Sequence, residues 1–207
     1  MNNNTTTTTI GTENGLSLTE NTRFFPALVN VLQRGIKGDF ADLGAWKGTF
    51  ALLMAEFCVK NQITDRRIYL FDTFEGHPLS CKTDIDDSWG FTKKLHEFYY
   101  PDIQDIEDKF SKMGFTNYEI VKGNIEETLK NYENLDICFS TVDLNFYKST
   151  KLALAFLEKT LVEGGLLFED DYDHIEGVTL AYDESCFNPA DMISSPDDPR
   201  RCFFYKI

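Results

Sequence analysis

The stretch DFADLGAWKGTFALLMAEFCVKN, residues 39–61, decides the fold class of this chain. Residues 39–44 form a short, mostly apolar run that predicts a β-strand, and the longer segment 48–61 predicts a helix. Gly44 and Gly48 lie between the two and indicate a tight turn. A strand that passes directly into a helix is the building unit of a parallel α/β sheet.

The same alternation continues along the rest of the chain. Short apolar runs predict further strands at 67–72, 118–123, 136–143, 164–170 and 201–207. Longer segments predict helices at 24–36, 125–132, 149–162 and 176–186, with further helical segments around Pro101. Strands that are apolar almost throughout are covered on both faces, and their alternation with helices implies right-handed crossovers. We therefore predict a doubly wound, mainly parallel, Rossmann-like α/β sheet, with ligands bound outside the carboxyl ends of its strands.

The composition fits one compact domain with a substantial core. The chain has 207 residues, of which 42% are hydrophobic and 14% aromatic, including 18 Phe. Residues 1–20 are rich in Asn, Thr and Gly and predict a flexible arm, so we expect a single domain over residues 21–207. The Phe-rich composition leaves room for an apolar interface, and we expect a homodimer.

The charge and the cysteine content argue against several classes of partner. A formal net charge of −14 disfavours nucleic acid as the main partner, because phosphate binding requires a basic surface. The five cysteines include no CxxC pair, which favours free thiols in a reducing compartment. The sequence shows neither a secretory signal nor an apolar run of roughly 18 residues, so we expect a cytoplasmic protein without a membrane partner.

Glycines and polar residues follow the first three predicted strands. Gly44 permits a sharp turn and Gly48 lets the next helix begin close to a ligand, although an ordinary turn is the alternative. Trp46 stands where the dinucleotide fingerprint GxGxxG requires glycine, so a close approach to a pyrophosphate is not expected. The loop instead suits a ligand that carries a positive charge and no phosphate. Asp72 suits the two hydroxyls of a ribose, or else caps a helix or faces solvent. Asn124 suits a base edge or a helix cap.

Carboxylates concentrate at the ends of the fourth and fifth strands. Asp143 ends the fourth, and the stretch GGLLFEDDYDH, residues 164–174, ends the fifth in Asp170 and Asp171. If the two strands lie side by side, the three carboxylates share a cleft, which is costly unless a cation offsets their charge. Oxygen ligands suit a hard cation such as Mg²⁺; caps or exposed charges are the alternative. His174 lies just past these acids, and its pKa range suits a general base, with a surface-loop histidine as the alternative.

These residues lie in longer segments that resemble the macrocin O-methyltransferase family. The segments are DLGAWKGTFALLMA, LFDTFEGHP, VKGNIEETL, VDLNFYKST and GGLLFEDDYDHIEGVTLAYDE, and the resemblance covers residues 38–185. The resemblance implies the fold of a class I S-adenosylmethionine-dependent methyltransferase. It also implies an enzyme that uses S-adenosylmethionine and Mg²⁺ to methylate a hydroxyl of a sugar or glycosylated metabolite.

The resemblance also assigns a cofactor site. The loop that holds the methionine part of the cofactor corresponds to Asp42, Gly44 and Gly48, and we expect Ala45 and Trp46 between them to contact the cofactor as well. The acid that holds the ribose corresponds to Asp72. The further cofactor contacts that we expect are Thr73, Asn124 and Asp143.

The metal ligands of the family correspond to Asp143, Asp170 and Asp171. We expect the proton of the acceptor hydroxyl to pass to Asp143 or His174. The chain departs from the family pattern in three places. These are Asn145 where the family usually has an acid, Asp42 where a Glu is expected, and one clear strand after residue 190 where a two-strand hairpin is expected.

Three other functions are compatible with these residues. The same metal chemistry serves methyl transfer to another vicinal diol, such as a catechol-like metabolite. A non-catalytic nucleotide-binding module would bind the cofactor without any dependence on metal. An NAD-dependent oxidoreductase would need a glycine in place of Trp46, and nicotinamide fluorescence on binding would identify it.

Overall fold

The computed structural model describes residues 18–87, 100–187, 192–194 and 202–205. The helices are α1 (Leu18–Gln33), α2 (Thr49–Lys60), α3 (Asp84–Asp87), α4 (Ile103–Met113), α5 (Ile125–Thr128), α6 (Tyr147–Thr160) and α7 (Glu176–Asp183). The strands are β1 (Asp39–Leu43), β2 (Ile68–Asp72), β3 (Tyr118–Lys122), β4 (Ile137–Val142), β5 (Leu161–Glu169), β6 (Met192–Ser194) and β7 (Cys202–Tyr205). None of these helices is long and apolar enough to cross a membrane.

The described strands form one seven-stranded sheet in the order β3-β2-β1-β4-β5-β7-β6. Strands β1 to β5 run parallel, and β7 runs antiparallel to both β5 and β6. The chain order of the strands reverses between β1 and β4, which is where ligands bind in sheets of this kind. The prediction of a doubly wound, mainly parallel α/β sheet is confirmed.

The register of the central strands brings their polar ends to one edge. Leu43 of β1 pairs with Val142 of β4, and Val142 pairs with Glu169 of β5. Asp143 and Asp170 directly follow Val142 and Glu169 in the chain. The strands β4 and β5 are therefore neighbours, as the proposed acid cluster requires.

Two hydrophobic layers cover the sheet, because successive strand residues point to opposite faces. On one face, Phe40 packs with residues of α1, α2 and α4, and on the other Leu43 packs with residues of α5, α6 and α7. Phe24 of α1 lies at the centre of an aromatic group in the first layer. The neighbouring rings, at 5.3 to 5.9 Å from that of Phe24, belong to Phe50, Phe139 and Phe168. The α helices thus shield both faces and leave the strand ends open.

The structure differs from the sequence-based prediction at both ends of the described chain. α1 begins at Leu18, earlier than the predicted residue 24 and inside the segment 1–20 for which we predict an arm. Residues 1–17 lie outside the described part of the chain. The prediction of one strand after residue 190 is wrong, because β6 pairs with β7 and supplies the second. A strand of three residues is too short for its alternation to be recognised from the sequence.

Candidate functional site

Gly44 allows the loop after β1 to touch the end of β4. Its backbone has a φ of +91°, and a Cβ at this position would lie 2.0 Å from the carbonyl oxygen of Asp143. Glycine alone permits so close an approach in this conformation. Gly44 and Asp143 consequently border the same space at the carboxyl edge of the sheet.

Asp72 ends β2 and fixes the two loops beside it. Its Oδ2 accepts the backbone N–H of Trp46 at 2.8 Å, and its Oδ1 accepts the backbone N–H of Phe74 at 2.7 Å. Oδ1 also accepts the hydroxyl of Thr73 at 3.4 Å, whereas Oδ2 keeps a second lone pair that a ligand hydroxyl can use. Because Asp72 is only half-buried and borders the open edge, its geometry permits hydrogen bonds to a ribose.

A cleft opens at the carboxyl ends of β1, β2, β3 and β4. The residues predicted from the sequence that line it are Gly44, Trp46, Asp72, Thr73 and Asp143. Other residues that line the cleft were not predicted from the sequence, among them His77, Tyr100, Asn145 and Ser149. His77 and Asn145 lie within two of the segments that resemble the family, LFDTFEGHP and VDLNFYKST. Their position shortly after a strand end was the signal that could have indicated them.

Asp42 lies beneath the cleft rather than in its lining. Its side chain is fully buried, where it accepts the backbone N–H of Ala51 at 3.0 Å and the hydroxyl of Thr141 at 2.7 Å. Burial raises the pKa of Asp42 to about 6, although both hydrogen bonds act in the opposite direction. Asp42 therefore ties β1 to the first turn of α2 and to β4, and supports the loop from inside the protein.

Three further residues of the predicted cofactor site also lie outside the lining. Ala45 is buried, and Gly48 precedes the first turn of α2. Asn124 accepts the backbone N–H of Glu126 at 3.0 Å through its side-chain oxygen and so caps α5. The helix-cap alternative for Asn124 is what the structure shows.

The three acids predicted as metal ligands lie together. Asp143, Asp170 and Asp171 each place a carboxylate oxygen within 4.8 Å of the other two, and all three side chains are half-buried. Burial raises the pKa of Asp143 well above its ordinary value, and the charges of Asp171, Asp170 and Glu169 raise it further. The side-chain amide of Asn145 donates to Asp143 and Asp171. Such a cluster holds a concentrated negative charge that a divalent cation would offset.

Glu169 does not join this cluster, although it directly precedes Asp170. Its side chain is buried, and its Oε1 accepts the backbone N–H of Asp171 at 3.1 Å. Burial raises the pKa of Glu169 well above its ordinary value, while a hydrogen bond from Tyr182 of α7 lowers it. The run of acids that ends β5 is therefore divided between the edge of the sheet and the layer beneath α7.

The histidine that lines the cleft is His77 and not His174. His174 is half-buried, and its backbone N–H donates to the carbonyl of Asp171 at 3.1 Å. The ring of His77 lies 5.2 Å from that of Phe146, which precedes α6. Burial lowers the pKa of His77, and the charge of Asp72 acts in the opposite direction. The cleft thus contains an imidazole whose neutral form is favoured.

The sequence model of the macrocin-O-methyltransferase family, TylF, matches residues 14–197. The 8-demethyl-8-(2,3-dimethoxy-alpha-L-rhamnosyl)-tetracenomycin-C 4'-O-methyltransferase of Streptomyces olivaceus is 26% identical over 164 residues, 76% of this chain and 61% of that protein. The demethyldecarbamoylnovobiocin O-methyltransferase of Streptomyces niveus is 23% identical over 166 residues, again 76% of this chain and 61% of that protein. The chain spans about three fifths of the length of these curated relatives.

Solved structures share the fold. The O-methyltransferase NovP superposes with a TM-score of 0.79 at 20% identity, over 89% of this chain and 78% of NovP. The calicheamicin methyltransferase CalS11 superposes with a TM-score of 0.70 at 20% identity, over 90% of this chain and 78% of CalS11. At this level of identity the likeness establishes the fold, which is that of the class I S-adenosylmethionine-dependent methyltransferases.

Proposed function

Since this chain belongs to the macrocin O-methyltransferase family, we propose that it transfers a methyl group from S-adenosylmethionine to a hydroxyl of a sugar or glycosylated metabolite. The observation that carries the proposal is the cleft in which Asp72 and Asp143 border the same space. Asp72 would accept hydrogen bonds from the ribose of the cofactor, and Asp143 would face the reacting groups in the same cleft. The relative from Streptomyces olivaceus is named for a rhamnosyl substrate, which supports a sugar acceptor. Another vicinal diol is the second acceptor class that the same site would serve.

The proposed cofactor position follows the strand ends. We assign the ribose hydroxyls to Asp72, with Thr73 beside them, and the methionine part to the backbone of Gly44, Ala45 and Trp46. Asp42, Gly48 and Asn124 act indirectly in this proposal, because they hold the loop and two helix starts in place. Trp46 occupies the lining where a dinucleotide fingerprint has glycine, so we do not propose an NAD-dependent oxidoreductase.

We propose Mg²⁺ as the second cofactor, held by Asp143, Asp170 and Asp171. Three carboxylate oxygens within 4.8 Å of one another are a donor set that suits this ion. Burial raises the pKa of Asp143 most and the charges of Asp171 and Asp170 raise it further, and a bound cation would offset that negative charge. When bound, Mg²⁺ orients two vicinal oxygens of a substrate and lowers the pKa of one hydroxyl.

The residues of the chain would align the substrates and accept a proton. In the transfer, the acceptor oxygen bonds to the methyl carbon as the carbon–sulfur bond of the sulfonium breaks, which leaves S-adenosylhomocysteine. Alignment of the two reactants in one cleft supplies a large share of the acceleration. Of the two proton acceptors considered from the sequence, Asp143 lines the cleft and His174 lies beyond the lining, so we propose Asp143 first.

Calorimetric titration of S-adenosylmethionine and S-adenosylhomocysteine, with and without Mg²⁺, tests the proposal. We expect the wild type to bind both ligands and Asp72→Ala to lose binding. Asp39→Ala is the matched control, because Asp39 also accepts a backbone N–H, that of Arg67 at 2.8 Å, but lies at the opposite end of the sheet. A wild type that binds neither ligand would contradict the methyltransferase proposal. Binding that does not depend on Mg²⁺, without turnover, would favour a non-catalytic module.

The proposal includes a homodimer located in the cytoplasm. Its support is the Phe-rich composition and the absence of a CxxC pair in the sequence. Light scattering on the purified chain, and fractionation of the producing cells, test these two points.

A further inference from the structure

Asp86 of α3 is a buried acid that the proposed reaction does not use. Its side chain is 3% exposed. Its Oδ2 accepts the backbone N–H of Thr83 at 2.6 Å and the hydroxyl of Thr83 at 2.8 Å. Its Oδ1 accepts the backbone N–H of Tyr147 at 2.9 Å, across 61 positions of sequence. The three hydrogen bonds hold this buried carboxylate in one position.

The bond to Tyr147 places Asp86 at the first turn of α6. Tyr147 is the first residue of that helix, and Phe146, at the cap position, contributes no capping side chain. The first backbone N–H groups of a helix need acceptors from outside the helix, and a carboxylate there also meets the positive end of the helix dipole. Asp86 therefore caps α6 from a distant segment.

Gly177 of α7 makes room for this cap. A Cβ on Gly177 would lie 2.8 Å from Oδ1 of Asp86 and 3.2 Å from Cβ of Tyr147. The conformation of Gly177 is one that other residues adopt, so an alanine there would act by its methyl group alone. The absence of a side chain at Gly177 thus leaves room for the Asp86 carboxylate and the start of α6.

Other contacts hold the segment 77–87, which contains Asp86, against the start of α6. The rings of His77 and Phe146 lie 5.2 Å apart, Cys81 packs against Phe146, and Lys148 donates to the carbonyl of Ser80 at 3.4 Å. The segment 77–87 therefore lies along the first turn of α6. Asp143 and Asn145, which precede that turn, and Ser149, which lies within it, line the cleft.

We propose that Asp86 is a positioning residue for the cofactor cleft. Its carboxylate holds the segment 77–87 against the first turn of α6 and so fixes the loop that carries Asp143 and Asn145. This inference rests on the proposed function, because binding of S-adenosylhomocysteine is one of its readouts.

The test compares Asp86→Ala, Asp86→Asn, Gly177→Ala and the double variant Asp86→Ala/Gly177→Ala. We expect Asp86→Ala to weaken binding of S-adenosylhomocysteine by about 5- to 10-fold, the effect of losing one helix cap. Asp86→Asn keeps an oxygen for the N–H of Tyr147 but turns its NH₂ group toward the backbone N–H of Thr83, so it should recover only part of the affinity. Gly177→Ala displaces the carboxylate and should resemble Asp86→Ala, and the double variant should lose no more than either single variant.

Hydrogen exchange of the amides of residues 143–150, measured on the free protein, gives a second readout. We expect faster exchange there in Asp86→Ala and Gly177→Ala, a smaller increase in Asp86→Asn, and wild-type exchange in the control Asp39→Ala. Asp39→Ala should lower the melting temperature while leaving the affinity for S-adenosylhomocysteine unchanged.

Two results would overturn the inference. The first is wild-type exchange of residues 143–150 in Asp86→Ala, and the second is additive loss of affinity in the double variant. Absence of S-adenosylhomocysteine binding by the wild type would contradict the proposed function instead, and hydrogen exchange would then decide the role of Asp86 by itself.

Discussion

The side-chain nitrogen of Asn145 lies 2.7 Å from Oδ2 of Asp171, a residue 26 positions further along the chain. The same nitrogen lies 2.8 Å from Oδ1 of Asp143. Asn145 has a φ of +63°, a left-handed conformation that asparagine adopts more readily than most residues. A neutral donor therefore stands between two carboxylates that repel each other.

Replacing Asn145 tests whether this amide offsets the charge of the cluster. Asn145→Asp adds a fourth carboxylate, so we expect the melting temperature in chelator to fall by roughly 3–8 °C. Added Mg²⁺ should raise the melting temperature of this variant more than that of the wild type, because the ion relieves a larger repulsion. Thermal denaturation with and without Mg²⁺ measures both effects. Equal midpoints for the two proteins in chelator would contradict the expectation.

Removing one carboxylate at a time tests the metal site. Asp170→Asn and Asp171→Asn should abolish metal-dependent turnover and leave binding of S-adenosylhomocysteine nearly unchanged, because Asp72 is intact in both. Asp173→Asn is the matched control, since Asp173 is an exposed acid in the same segment. Full activity of both variants in the presence of chelator would show that the metal mechanism is wrong.

Gly44→Ala tests the contact between the β1 loop and the end of β4. The added methyl group would meet the carbonyl of Asp143, so we expect a loss of stability of about 2 kcal/mol or more and loss of S-adenosylhomocysteine binding. Gly35→Ala is the control, because Gly35 also has a positive φ, +72°, but an added Cβ there meets nothing within 4 Å. Gly35→Ala should cost about 1 kcal/mol and leave binding intact. Equal effects of the two variants would mean that only the backbone conformation of Gly44 matters and that its contact with Asp143 does not.

The buried Asp42 should make the protein more stable in mild acid. Its pKa is about 6 in the folded protein against 3.8 as the ordinary value, so the folded state binds the proton more tightly. The stability that this proton contributes is fully present below pH 3.8 and is lost as the pH rises through about 6. Asparagine does not titrate, so the stability of Asp42→Asn lacks this pH-dependent contribution.

Melting temperatures between pH 4 and pH 7.5 check this expectation for Asp42. The difference between Asp42→Asn and the wild type should change across that window and be constant above it. A difference that is constant throughout would contradict a raised pKa for Asp42. The variant Asp39→Asn is the control, because it also removes an aspartate but one that lies away from the site.

His77 should make cofactor binding depend on pH. Because burial lowers the pKa of His77, the ring is neutral at pH 7 and gains its charge only in more acidic solution. A charged imidazole in the cleft would repel the sulfonium of S-adenosylmethionine but not the neutral sulfur of S-adenosylhomocysteine. We expect the affinity for S-adenosylmethionine, relative to that for S-adenosylhomocysteine, to fall in the wild type as the pH is lowered and to stay constant in His77→Gln. His174→Gln is the control, and its relative affinity for the two ligands should depend on pH as that of the wild type does.

The sequence predicted those features that depend on local pattern. Apolar runs of strand length and longer helical segments gave the alternation from which the parallel sheet follows, because a covered strand and its crossover helix each leave a mark of several consecutive residues. The acids Asp143, Asp170 and Asp171 were predicted to meet because the carboxyl ends of neighbouring parallel strands share an edge. The three residues of β6 are too few to show such a pattern.

What the sequence determined by itself is the order of elements and which residues stand at the strand ends. Only the tertiary structure decided where the side chains of those residues point. Glu169 and Asp170 are adjacent, yet one is buried against α7 and the other joins the acid cluster, since consecutive residues leave a strand in opposite directions. Asp86 reaches Tyr147 across 61 positions, a contact that packing alone creates and that no local pattern encodes.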